Sequence, residues 1–390
     1  MLSLLIFIVL SVSHLINGNF VEKYNKWQTL YDPTKIVHNF RTSDTWGFKY
    51  NSINQVGTPL TRANSSLPPH FNFFGTNVTF NTWFQSCWIT GIIVLRADSI
   101  TSGSVVHENY FLGNNVASKT VSWSIGKAIV GALTGVAINK GFINSINDTV
   151  KDYLPSFQYS AYANVTVYQL LTMSSGIFFN ENPLNASSDI NKFSLNMVQD
   201  FPLKQLLKIF PSFTTAGTTF NYISSDTQLL GLVIRKAVGT SLTKFARQYF
   251  WTAPEFGAMD FLKVGDEELA MGGMSTTLEN YAKFGWLYLN RGKSFIDGHV
   301  ILKQKWVDDS VRARFGGVFG FGYNWWIPAP IPTNNEFIAV GAFGQYLYVD
   351  TLSGVVVAIS SANPFGSANP ICSEVAFVTA FRTLSVYYDQ

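Results

Sequence analysis

The chain has 390 residues, of which 47% are hydrophobic and 13% charged, with a formal net charge of +3. That composition excludes a disordered chain and suits one large domain or two interleaved lobes. Lys plus Arg (27) nearly balances Asp plus Glu (24), which leaves no electrostatic footprint for nucleic acid, and two cysteines are too few for a disulfide framework or a cysteine-based zinc site.

The first stretch, MLSLLIFIVLSVSHLINGNF, is apolar from Leu2 to about Val12 and then turns small and polar. This is short for a bilayer span and has the shape of a signal peptide over 1–18, cut after Gly18; an uncleaved anchor is the alternative. No later segment is apolar enough for a second span, so no stable membrane span is expected once the signal is removed. N-x-[ST] sequons stand at Asn64, Asn77, Asn147, Asn164 and Asn185. Behind a signal peptide they predict a glycosylated protein, secreted or held in the lumen of the secretory pathway.

Residues 19 to about 85 read as irregular and aromatic. WITGIIVLRA (88–97) and VVHENYFL (105–112) read as strands joined by a turn. AIVGALTGVAINKG (128–141) is apolar nearly all round and stops at a glycine, which predicts a buried helix. VTVYQLLTMSSG (165–176) predicts another helix. TQLLGLVIRKAVG (227–239) predicts a third, with Asp226 as its cap. FGQYLYVD (343–350) and VVVAISS (355–361) alternate around a turn as a central hairpin, and SEVAFVTAFRTLS (373–385) is a closing helix. Cys87 precedes the first strand and Cys372 opens the last helix; they are candidates to pair, which spacing alone leaves open. Strands at both ends with helices between them predict an α+β fold: an antiparallel sheet flanked by helices, carrying an inserted all-helical lobe. The corresponding segments are 19–115 and 251–390 for the sheet lobe and 116–250 for the helical one.

Several familiar sites are absent. There is no G-x-S-x-G elbow, no H-E-x-x-H, no phosphate-binding loop and no dinucleotide fingerprint, and the five histidines are scattered. No metal or cofactor is expected. What remains is S-x-x-K at Ser124-Ile125-Gly126-Lys127, where the buried helix begins. Spacing i, i+3 puts both side chains on one helix face, and first-turn N–H groups favour negative charge developing at Ser124. Burial would lower the Lys127 pKa, so that a neutral amine could take the serine proton. A capping serine with a solvated lysine is the competing reading. The same pattern recurs at Ser241-Leu242-Thr243-Lys244, read as a cap and a surface lysine.

The first copy has company. SWSIGKAIVGALTGVAINKGFINSINDTVKDYLP, LLTMSSGI, FNYISSDTQLLG, MGGMSTTLENYAKFGWLYLNRGK and GAFGQYLYVD, in this order over about 85–385, resemble the β-lactamase-related serine hydrolases. The likeness is nearest to the nylon-oligomer (6-aminohexanoate-dimer) hydrolase branch, related in turn to class C β-lactamases and D,D-peptidases. The resemblance implies the β-lactamase/transpeptidase-like fold and an acyl-enzyme on a small amide, ester or peptide substrate. It assigns Ser124 as nucleophile, Lys127 as general base and Tyr222 as proton shuttle. Ser224, Gly341 and Gln345 become substrate-side residues, and the backbone N–H groups of Ser124 and Ala342 an oxyanion hole. Gly272-Gly273 and Asp189 match family loops near the cleft. The third element departs from the pattern: Ala339-Val340-Gly341 stands where penicillin-active relatives carry K-T-G or H-T-G, which argues against β-lactam turnover. Phe321, Trp325, Trp326, Phe343 and Tyr346 offer aromatic surface near the expected cleft mouth, some of them being core residues that the sequence does not single out. A non-catalytic scaffold retaining the fold and a D,D-peptidase are the alternatives.

Overall fold

A computed structural model describes residues 18–389 apart from 184, 253, 316, 318 and 330–334, so the signal-like segment falls outside the described residues except for Gly18. Among the described residues the main sheet has seven antiparallel strands. Their order is Phe319–Phe321, Trp326–Pro328, Glu336–Gly341, Gln345–Asp350, Val355–Ser361, Ile89–Ala97 and Gly103–Tyr110. The predicted hairpin therefore sits at the sheet's centre, and the two ends of the chain meet where Val355–Ser361 pairs with Ile89–Ala97.

Both faces of this sheet are covered. Ile93, Leu95, Leu347, Val349, Val356 and Ala358 point into one core, with the Leu278–Leu289 and Ile125–Asn139 helices. Their neighbours Ile92, Val94, Tyr346, Tyr348, Val355 and Val357 point into the other, against Phe377 and Phe381 of the closing Glu374–Tyr388 helix. VVVAISS, expected to alternate, is buried along its whole length because both faces of the sheet are covered. Cys87, at the end of the Phe80–Ser86 helix, is bonded to Cys372, just ahead of the closing helix. The bridge spans 285 residues of sequence.

A second antiparallel sheet orders Lys49–Ile53, Met259–Val264, Met274–Thr277 and Lys119–Val121, with Glu267–Glu268 off its side. The last of these strands leads straight into the S-x-x-K turn. Three predictions change. The 19–85 stretch is more ordered than expected, holding Gly18–Gln28, Ile36–Arg41, Lys49–Ile53 and the His70–Phe73/Thr76–Thr79 hairpin; all but the first are too short to leave a periodic signal. The helix predicted over 165–176 is only Val167–Leu171. Met173 turns left-handed (φ 52°), and the carbonyls of Met173 and Ser174 accept from Asn221 and Gly217 on another segment instead of continuing the helix. Asp226 is not a cap, because the helix begins two residues earlier, as Ser224–Val238.

Candidate active site

Ser124 occupies the N-cap position of the Ile125–Asn139 helix, yet its side chain makes no capping hydrogen bond. Instead Ser124 Oγ accepts from Lys127 Nζ at 2.8 Å. Lys127 is 2% exposed in a helix whose first thirteen residues are all buried. Its amine also donates to Ser224 Oγ at 3.2 Å and to the Met271 carbonyl at 2.9 Å. Burial pulls the Lys127 pKa down to about 8, against the opposing pull of the Glu181 carboxylate. The second S-x-x-K behaves in the opposite way. Ser241 Oγ accepts from the Lys244 N–H at 3.2 Å as an ordinary cap, and Lys244 is exposed.

Tyr222 reaches the same point from the segment before the Ser224–Val238 helix. Its ring stacks on Trp326 (centroids 5.3 Å apart) and lies 5.2 Å from Lys127 Nζ. Burial raises the Tyr222 pKa, and a hydrogen bond with Ser124 opposes the shift. The phenol is therefore neutral at ordinary pH. Ser224, 4% exposed, stands between Lys127 and Glu181: its N–H donates to Glu181 Oε2 at 2.9 Å and its hydroxyl to Oε1. Glu181 is the site residue that sequence reading missed. Burial raises its pKa, while the Lys127 charge and the Ser224 hydrogen bonds lower it. No motif flags it; the available hint was a lone acid in the otherwise uncharged run GIFFNENPLN. Asp189 supports that loop, since its Oδ2 accepts from the Asn180 N–H at 2.8 Å.

Gly341 closes the third side. A Cβ there would lie 2.6 Å from the Ser122 carbonyl, so only glycine lets this strand run so close to the turn that carries Ser124. Gly272 is equally restricted, its missing Cβ falling 2.9 Å from the Trp123 backbone. Ala342, exposed, begins the Ala342-Phe343-Gly344 turn. Two flanking residues adopt left-handed backbone, Trp123 (φ 43°) and Phe343 (φ 64°), at a cost of about 1–2 kcal/mol each.

Gln345 is not free to meet a substrate. It is 2% exposed, with its amide nitrogen donating to the Ser361 and Ala342 carbonyls and its amide oxygen accepting from the Ser361 N–H. It holds the turn against the next strand. Trp325 and Tyr346 are core rather than cleft: Trp325 is 0% exposed, and Tyr346 stacks on Phe377 at 4.1 Å in the opposite core. Phe321 is buried beside Tyr222, while Trp326 and Phe343 keep partial exposure. Ala339 is buried at 1% and offers no cation. Away from these residues, Glu255, Asp297 and His299 bring ligand-type atoms within 4.8 Å of one another. Their groups already engage one another and Ser294.

Residues 99–371 match the family described as Beta-lactamase. The chain belongs to the beta-lactamase family. Within this family of serine hydrolases it is similar to the 6-aminohexanoate-dimer hydrolase of Paenarthrobacter ureafaciens, 23% identical over 286 residues, or 67% of this chain and 71% of that one. A Bacillus anthracis protein proposed to be a 6-aminohexanoate-dimer hydrolase has a similar structure. Its TM-score is 0.81 at 19% identity, covering 92% of this chain and 95% of that one. The D-alanine carboxypeptidase AmpC from Burkholderia cenocepacia shares the fold more distantly, with a TM-score of 0.56 at 16% identity over 78% of this chain and 96% of that one. The fold expected from the sequence, an α+β β-lactamase/transpeptidase-like architecture, is the one observed.

Proposed function

We propose that the protein cleaves an amide, peptide or ester bond of a small, neutral substrate through an acyl-enzyme on Ser124. The observation that carries this reading is that Ser124 Oγ forgoes its cap and accepts from a buried lysine at 2.8 Å. Neutral Lys127 takes the Ser124 proton as Oγ attacks the carbonyl carbon. The N–H groups of Ser124 and Ala342 receive the developing oxyanion. As the intermediate collapses, the proton on Lys127 passes through the Tyr222 hydroxyl to the leaving nitrogen or oxygen. Water then attacks the acyl carbon along the reverse proton path and restores Ser124. The raised pKa of Tyr222 suits a phenol that relays a proton and never rests as phenolate. Ser224 orients the lysine, with Glu181 behind it.

The neutral substrate follows from Ala339. A substrate carboxylate seated there would lack a cationic partner and lose its compensation for desolvation. Esters such as p-nitrophenyl butyrate should accordingly be better substrates than nitrocefin. Export and N-glycosylation are part of the proposal. All five sequon asparagines are exposed, and among the described residues no helix is long and apolar enough to cross a membrane. Glycosidase treatment of native material should lower the apparent mass, and the mature chain should start near Asn19.

The deciding experiment is fluorophosphonate labelling with the modified residue mapped by mass spectrometry. Ser124→Ala should abolish labelling and lower kcat by at least ~10³. Ser241→Ala should do neither. Equal labelling of the Ser124→Ala protein would end the proposal.

A further inference from the structure

The two N–H donors assigned to the oxyanion hole sit far apart in sequence, at Ser124 and Ala342. Each is followed or preceded by a large aromatic residue in left-handed backbone, Trp123 and Phe343. Bulky side chains hold that conformation only when their surroundings impose it. Here the surroundings come from residues outside the 99–371 family match. Tyr31 stacks on Phe343 with ring centroids 4.9 Å apart and planes 17° from parallel, and its ring lies 6.0 Å from Trp123. Phe40, 4% exposed, meets the same two rings at 5.5 Å for Trp123 and 5.2 Å for Phe343. Trp123 and Phe343 in turn lie 5.5 Å from each other.

The N-terminal segment carrying these rings is tied to the body on its own account. Arg41 Nη1 donates to the Leu112 carbonyl at 3.0 Å and to Asn114 Oδ1 at 3.1 Å. Ser43 Oγ meets Ser275 Oγ at 3.1 Å, and within the segment itself the Trp46 indole N–H donates to the Asn39 carbonyl at 2.9 Å. A fixed platform thus presses two rings against the residues flanking both donors.

We propose that Tyr31 and Phe40 are positioning residues that clamp Trp123 to Phe343 and so set the spacing of the oxyanion hole. The N-terminal segment is then a working part of the active site and not merely cover for it. This rests on the hydrolase reading above. Neither residue touches the reacting atoms; each acts through the backbone of its aromatic partner. Because a misplaced donor weakens binding of the tetrahedral species and leaves ground-state binding nearly intact, the loss should fall on kcat and not on KM.

The test uses the full-length protein with its disulfide intact, p-nitrophenyl butyrate as substrate, and phenylboronic acid as a probe that forms a tetrahedral adduct on serine. Tyr31→Leu and Phe40→Leu should each lower kcat by roughly tenfold to a hundredfold. KM should change little, and the boronate inhibition constant should rise in step with the loss of kcat. Tyr31→Phe, which keeps the ring, should restore both. Phe343→Gly relieves the left-handed backbone at φ 64° but deletes the ring packed on Tyr31, Phe40 and Trp123, so Tm should fall while Ser124 labelling persists and kcat drops. Labelling at Ser124 with kcat and boronate affinity unchanged in the leucine variants would overturn the clamp alone, even if Tm dropped. Absence of Ser124 labelling in the parent protein would remove the hole, and this inference with it.

Discussion

Replacing Lys127 by Met tests the base and its electrostatics together. Burial holds the folded amine at about 8 instead of the ordinary 10.5. That difference corresponds to roughly 3 kcal/mol of preference for the neutral form. At pH 7 only about a tenth of the amine is neutral, and at pH 8 about half. The second-order rate of fluorophosphonate labelling should therefore climb about tenfold per pH step below 8 and level off above it. Lys127→Met should remove that limb. Stability carries the same signature with a defined sign. Between pH 8 and 10.5 the unfolded chain holds the lysine proton that the folded chain has released, so native stability rises with pH in that window. Below pH 8 the full penalty is present. The stability gap between the parent and Lys127→Met should move by roughly 3 kcal/mol in favour of the parent as pH rises from 7 to 10.5, measured by urea unfolding at fixed salt. An unchanged labelling limb in the variant, or a gap that stays flat with pH, would refute the assignment of a neutral-amine base.

Glu181→Gln removes the anion that raises the Lys127 pKa, so the labelling limb should shift to lower pH; a shift to higher pH would contradict the geometry. Asp226 is fully buried, and burial lifts its pKa to about 8, opposed by hydrogen bonds from Ser175 and Tyr162. A raised carboxyl costs stability as pH climbs from the unfolded value toward the folded one. Asp226→Asn should therefore gain in Tm relative to the parent between pH 5 and pH 8, and equal differences at both would reject this. Replacing Cys87 and Cys372 together by Ser opens a loop of 285 residues and should cost about 2–5 kcal/mol in urea unfolding, with kcat at 25 °C little affected because the bridge is buried in the core under the closing helix, on the other side of the sheet from the Ile125–Asn139 helix; an unchanged midpoint would count against a stabilising bridge.

Much of the fold is legible in the sequence because its signals are local. The all-round apolar run 128–141 reads as a buried helix, and WITGIIVLRA and VVVAISS read as strands; that both of their faces are covered came from the fold. The order of segments around Ser124, Tyr222 and Gly341 pointed to the family. Short elements stayed hidden for the same reason: three to six residues, as in Ile36–Arg41 or Lys119–Val121, span too few periods to register.

What tertiary structure decided was which of two identical patterns holds its lysine buried against the serine. Ser124-x-x-Lys127 and Ser241-x-x-Lys244 cannot be told apart by spacing. They differ in what packs against the lysine: Met271 and Ser224 enclose Lys127, and solvent surrounds Lys244. Desolvation is a property of surroundings contributed from far along the chain, so no local reading could supply it. The same holds for Glu181, which becomes part of the site only because Ser224 faces it. It holds for Gln345 and Tyr346 as well, whose side chains the sheet turns inward. Order and spacing picked out Ser124, Lys127 and Tyr222; the packing of distant segments set the burial of Lys127, its partners and the aromatic rings beside Ser124.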